Sequence, residues 1–215
     1  MAGTARPNYP EGRHAASAKV RQLQNRLWAA AKQSPGRRFH ALYDRIHRPD
    51  VLWEAWQRVR ANRGAAGVDG LTLAAVEDYG VHRMLDELSD ALRAGTYRPA
   101  PVRRVEIPKP DGSKRPLGIP TVVDRVCQQA AKIVLEPLFE SDFLSCSYGF
   151  RPKRSATDAL EKIRVEFPRG QQFVFEADIK NFFGEIDHGR CSRWSPSGCR
   201  TDGCSSWCGN GWRQA

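Results

Sequence analysis

The stretch RRVEIPKPDGSKRPLGI, residues 103–119, constrains the fold more than any other. Apolar and charged residues alternate over 102–107, the period of a half-exposed strand. Pro110-Asp111-Gly112 has turn chemistry: proline presets φ, and glycine accepts a positive φ at no steric cost. A second short run follows at 114–119. Two such runs on a tight turn read as a β-hairpin. The segments around it have helical spacing instead. The expectation is a mixed α/β (α+β) chain in which one hairpin stands among amphipathic helices.

In 17–33, Val20, Leu23, Leu27 and Ala31 fall on one face, and the opposite face is basic. Ser34-Pro35-Gly36 ends that helix. A second helical region covers 37–61, interrupted at Pro49-Asp50, where Val51, Leu52, Ala55, Trp56 and Val59 form a stripe. Its tryptophans read as core and not as a base-stacking platform. Residues 62–70, NRGAAGVDG, form a glycine-rich loop that matches no phosphate-loop spacing. Helix returns over 72–94, with Gly95 as its stop. Thr121 with Asp124, and Ser155 with Asp158, are capping signatures opening helices to about 139 and 166. Residues 172–177 read as a strand ending at Asp178. Residues 1–16 have no periodicity and are expected to be disordered.

Charge narrows the partner. The 215 residues carry a net +10, unevenly spread. Residues 1–60 hold twelve Lys/Arg against four Asp/Glu, a net of +8; residues 61–188 hold eighteen against nineteen, a net of −1. A basic N-terminal third suits a grip on a phosphate backbone, and equally a solvated surface. No run of about 18 apolar residues suggests a membrane span. The N-terminus lacks the apolar core of a signal peptide, so a cytoplasmic protein without disulfides is expected.

Two places carry candidate chemistry. Lys109, Lys114 and Arg115 cluster beside the hairpin turn, which suits either neutralising a triphosphate or a merely solvated tip. Asp178 stands at the end of an apolar run, where α/β proteins place catalytic groups. One carboxylate serves as readily as a cap or an ion-pair partner.

The blocks NRGAAGVDG (62–70), YRPAPVRRVEIPKPDGSKRPLGIPTVVDRVCQQA (97–130), SYGFRPKRSATDAL (147–160) and ADIKNFFGEIDH (177–188) together resemble the reverse transcriptases, or maturases, encoded by bacterial group II introns. Their order and spacing match that family over residues 40–188. The resemblance implies right-hand polymerase fingers and the first part of a palm over 62–188, with a basic helical extension over 17–61. It implies RNA-directed DNA polymerase chemistry with Mg²⁺, and as partners intron RNA, an RNA template with a DNA primer, and deoxynucleoside triphosphates. By position, Asp178 corresponds to the first metal-binding aspartate, with the Ile179 backbone carbonyl as a further ligand. Phe183 corresponds to the aromatic that rejects a 2′-hydroxyl. Lys109 and Arg115 match the triphosphate grip, and Arg103, Arg104, Lys114 and Arg151 are candidate nucleic-acid contacts.

The sequence also departs from the family. Gly184 stands where an acidic residue is usual, and the downstream Tyr-Ala-Asp-Asp block is absent. Residues 189–215 hold Cys191, Cys199, Cys204 and Cys208 without the short paired spacings of a zinc site. Their Trp, Cys, Arg, Ser and Gly are what GC-rich codons give when read out of frame. The expectation is a frameshift near Gly189 or Arg190. The chain is then a fragment, inactive alone, with a non-catalytic RNA-binding remnant and an unstable product without function as the alternatives.

Overall fold

The computed structural model describes residues 13–34, 37, 39–170, 173–179 and 185. Its elements in chain order are α1 (Arg13–Gln33), α2 (Tyr43–Ile46), α3 (Pro49–Ala61), α4 (Leu73–Tyr79), α5 (Val81–Arg93), β1 (Arg103–Pro108), β2 (Lys114–Ile119), α6 (Val122–Asp142) and α7 (Ala156–Glu166), followed by a 3₁₀ turn, Phe167–Arg169. This is a mixed architecture of helices with one small antiparallel sheet. None of the described helices is long and apolar enough to cross a membrane.

Helix α6 is the centre. Its Val126, Cys127, Ala130, Ile133 and Val134 are buried against α1 and α3, and α5 packs on α3 and, less extensively, on α6. The partner faces are the stripes expected from spacing: Val20, Leu23, Leu27 and Ala31 on α1, and Val51, Leu52, Ala55, Trp56 and Val59 on α3. Trp56 is 2 % exposed and belongs to the core. Pro49 takes the first turn of α3, where its missing N–H costs no hydrogen bond.

Pro137 lies inside α6 and cannot donate to the carbonyl four residues back. That carbonyl belongs to Ile133. The Gln24 amide of α1 donates to it at 3.1 Å, so a neighbouring helix satisfies the acceptor that proline frees. Two turns further along both helices, the Lys32 ammonium caps the Ser141 carbonyl at 3.1 Å.

Two expectations need correction. The helix read as continuous over 72–94 is two helices, because Gly80 adopts φ +104° and turns the chain between them. The strand read at 172–177 is not formed over 173–177. Phe173, Val174 and Phe175 are 100 %, 86 % and 93 % exposed and carry no ladder. Strand geometry needs a neighbouring strand, and among the described residues β1 and β2 pair only with each other. The expected disordered start (1–16) is described only in backbone from Arg13, where α1 already begins, and the aberrant tail (189–215) lies outside the described residues.

Candidate nucleic-acid interface

The hairpin turn follows from its sequence. The Gly112 N–H donates to the Lys109 carbonyl (3.0 Å), and Gly112 takes φ +80°. The Asp111 carboxylate accepts from the Ser113 hydroxyl (2.7 Å) and N–H (2.9 Å), which hold its pKa below the ordinary aspartate value.

Register sorts the cations. Pairing runs from Arg103↔Ile119 to Pro108↔Lys114, and the Lys109 N–H to Ser113 carbonyl bond (2.8 Å) adds a further rung. Side chains alternate across the pleat. Arg103, Val105, Ile107, Arg115, Leu117 and Ile119 therefore share one face, and Lys109 continues it. Arg104, Glu106 and Lys114 share the other, where the Lys114 ammonium pairs with Glu106 at 3.0 Å. No strand carboxylate lies on the Arg103–Lys109–Arg115 face. All three of those side chains are exposed, and both strands are exposed along nearly their whole length. The hairpin is thus a basic blade with no strand carboxylate on one face, and Arg103, Lys109 and Arg115 can meet a polyanion without breaking internal pairs.

Arg151 is placed differently from its expected nucleic-acid role. Its side chain is 5 % exposed, and it donates to both Glu140 carboxylate oxygens (2.5 and 3.0 Å) and to the Leu144 (2.7 Å) and Ser147 (2.8 Å) carbonyls. It clamps the loop after α6, and all three of its nitrogens donate to these protein oxygens. The same bonds hold the Glu140 carboxyl below its ordinary pKa. Arg154 continues the clamp by donating to the Ser145 and Ser147 carbonyls (2.5 and 3.0 Å).

Asp178 and Ile179 are exposed, and Phe183 lies outside the described residues. No group of three His, Cys, Asp or Glu among the described residues stands close enough to hold a metal. A two-ion site needs bridging carboxylates. Among the described residues no such group of carboxylates forms around Asp178, and no step is derived through a metal.

The glycine-rich loop 62–70 is committed to packing. A Cβ on Gly67 would meet the Thr121 backbone at 2.6 Å, and the Arg125 guanidinium donates to the Ala65 carbonyl at 2.7 Å. A further polar group escaped the sequence reading. The buried Asp124, legible only as a helix cap, also bonds the Tyr97 hydroxyl and the Ala100 N–H on the far side of the hairpin.

A family model for reverse transcriptase (RNA-dependent DNA polymerase) matches residues 107–197. The chain is 36 % identical to protein YkfC of Escherichia coli over 176 residues, covering 79 % of this chain and 46 % of that protein. It is 41 % identical to the group II intron-encoded protein LtrA of Lactococcus lactis over 153 residues, covering 70 % of this chain and 25 % of that protein. A shorter similarity, 34 % over 68 residues, links it to nuclear intron maturase 1 of Arabidopsis thaliana, covering 32 % of this chain and 9 % of that protein. The chain therefore spans less than half the length of these curated relatives.

Proposed function

We infer that the chain, which belongs to the family of group II intron-encoded reverse transcriptases and maturases, supplies the RNA- and triphosphate-gripping front of such an enzyme. The observation that carries this reading is the face shared by Arg103, Lys109 and Arg115 on an exposed hairpin with no strand carboxylate beside them. A preorganised row of cations suits the oxygens of a polyphosphate, and arginine adds bidentate geometry to the charge of lysine. In this reading Lys109 and Arg115 meet the phosphates of a triphosphate or, when none is bound, of an RNA strand, and Arg103 with the basic face of α1 tracks the RNA backbone further along. Asp178, the Ile179 carbonyl and Phe183 are the proposed start of the chemical centre, with Mg²⁺ the ion they would help to hold. Intron RNA and a template–primer duplex are the proposed macromolecular partners.

The 215-residue chain alone binds RNA and does not extend a primer. Fluorescence anisotropy with a labelled single-stranded RNA tests the first half. Lys109→Ala and Arg115→Ala weaken binding, whereas Arg83→Ala on α5, where Arg83 pairs with Glu87 at 3.2 Å, leaves it unchanged. Equal losses in all three variants would reduce the hairpin to generic positive charge. Template-directed extension by the isolated chain would refute the second half.

A further inference from the structure

We propose that Asp124 is a positioning residue: its carboxylate latches both roots of the basic hairpin to the start of α6 and thereby aims Lys109 and Arg115. This inference rests on the reading of the hairpin as a phosphate grip.

The hairpin makes its extensive contacts within itself, so its direction must be set where it joins the body. One carboxylate meets both joining segments. Asp124 is 4 % exposed. Its Oδ1 accepts from the Tyr97 hydroxyl, and its Oδ2 accepts from the Ala100 N–H at 3.3 Å, both in the segment leading into β1. Oδ2 also accepts from the Thr121 hydroxyl at 2.6 Å, just after β2. The Asp124 N–H returns a bond to Thr121 Oγ1 at 3.1 Å, closing the α6 cap. A single side chain therefore receives three donors: two from before the hairpin and one from after it.

Packing reinforces the same point. A Cβ on Gly118 would come within 2.9 Å of Val102 Cγ2, so the two strands are drawn together at the base. Gly67 brings the preceding loop onto the Thr121 backbone. Burial, with Cys127 and the Asp124 bond beside it, pushes the Tyr97 phenol far above its ordinary pKa, which keeps it a donor. A helix cap alone has no use for Tyr97 or Ala100. Their convergence on the capping carboxylate is what distinguishes a latch from a cap.

The test measures direction separately from stability. Spin labels are attached through a genetically encoded ketone side chain at Ser113, by the hairpin tip, and at Gln128, exposed on α6. This leaves the cysteines unmodified. Electron–electron distance distributions are recorded on the full 215-residue chain. Tyr97→Phe removes one latch bond and leaves the capping pair intact. It broadens the distribution, and Asp124→Ala broadens it further. Ser155→Ala, which removes the separate capping box of α7, leaves it unchanged. An unchanged width in Tyr97→Phe, with the chain folded by circular dichroism, overturns the latch even if Asp124→Ala fails to fold.

Titration with inorganic tripolyphosphate then joins latch to grip. If the freed hairpin holds the competent direction for about a tenth of the time, affinity falls about tenfold. Unaltered affinity in Tyr97→Phe despite a broadened distribution overturns the claim that the latch aims the grip. If the wild type does not bind tripolyphosphate while the label distances still respond to Tyr97→Phe, the phosphate-grip reading fails and the mechanical latch stands.

Discussion

Helices α6 and α7 begin with the same device and meet opposite surroundings. Thr121 caps α6 by accepting from the Asp124 N–H, and Ser155 caps α7 by accepting from the Asp158 N–H. Beyond the cap, α6 buries eleven residues and α7 buries none. The apolar residues of α7, Leu160 and Ile163, are 65 % and 61 % exposed, and its main neighbour is the 3₁₀ turn that follows it, whose Phe167 is exposed too. A cap is worth about 1 kcal/mol. Each fully buried large aliphatic side chain contributes about 1.5–3 kcal/mol. The cap thus decides where a helix starts, whereas burial decides whether the rest of the molecule depends on it.

The sharpest way to break this comparison is one change made twice. Ile133→Ala in α6 lowers the free energy of unfolding by about 2–5 kcal/mol, and Ile163→Ala in α7 changes it by less than about 0.5 kcal/mol, both read from urea denaturation. Similar losses at the two sites would mean that α7 is packed in solution, and the contrast would be gone.

A smaller effect sharpens the account of α6. Gln24→Ala strips the Ile133 carbonyl of the donor that replaces the Pro137 N–H and costs about 1–3 kcal/mol. In a Pro137→Ala background the helix restores its own donor, so the same Gln24 substitution costs less. Equal costs in both backgrounds would show that Gln24 acts through packing and not through that bond.

The junction between the two helices responds to acid. The folded-state pKa of Glu140 is depressed by Arg151, so the clamp stabilises the loop above the ordinary glutamate value of 4.5 and is lost as pH falls through the lower folded value. Hydrogen exchange across 144–151, compared after intrinsic-rate correction, accelerates in that acid window. Arg151→Ala shows the fast exchange already at neutral pH. No difference between pH 7 and acid would remove the clamp from the account. The most local expected effect is that of Ser155→Ala, about 1 kcal/mol confined to α7, visible as faster exchange there with the global unfolding midpoint unmoved.

What was legible in the sequence follows the same division. The stripes of α1 and α3, both capping signatures and the Pro-Asp-Gly turn were readable because each depends on neighbours within a few residues. The break at Gly80 was not, because a lone glycine in a helical pattern is also compatible with an unbroken helix. The run FVF at 173–175 has strand composition, but a strand also needs a partner, and composition does not supply one. Arg151 sits in a block whose family resemblance pointed outward to nucleic acid. Its actual partners, Glu140 and two backbone carbonyls, are set by the path of the loop. Asp124 showed its local role, while its bond to Tyr97, 27 residues away, became visible only in three dimensions. Of the candidate site, the hairpin cations were legible as a cluster, and only register divided them between two faces.

The central claim is that one face of the hairpin holds phosphates. It is tested most directly by the salt dependence of RNA affinity for the wild type and the Lys109→Ala/Arg115→Ala double variant. Each phosphate contact contributes about −0.7 to the slope of log K against log salt for a single strand. The account predicts a steep wild-type slope that becomes shallower by about 1.4 in the double variant. Identical slopes in the two proteins, or a wild-type affinity indifferent to salt, would contradict it.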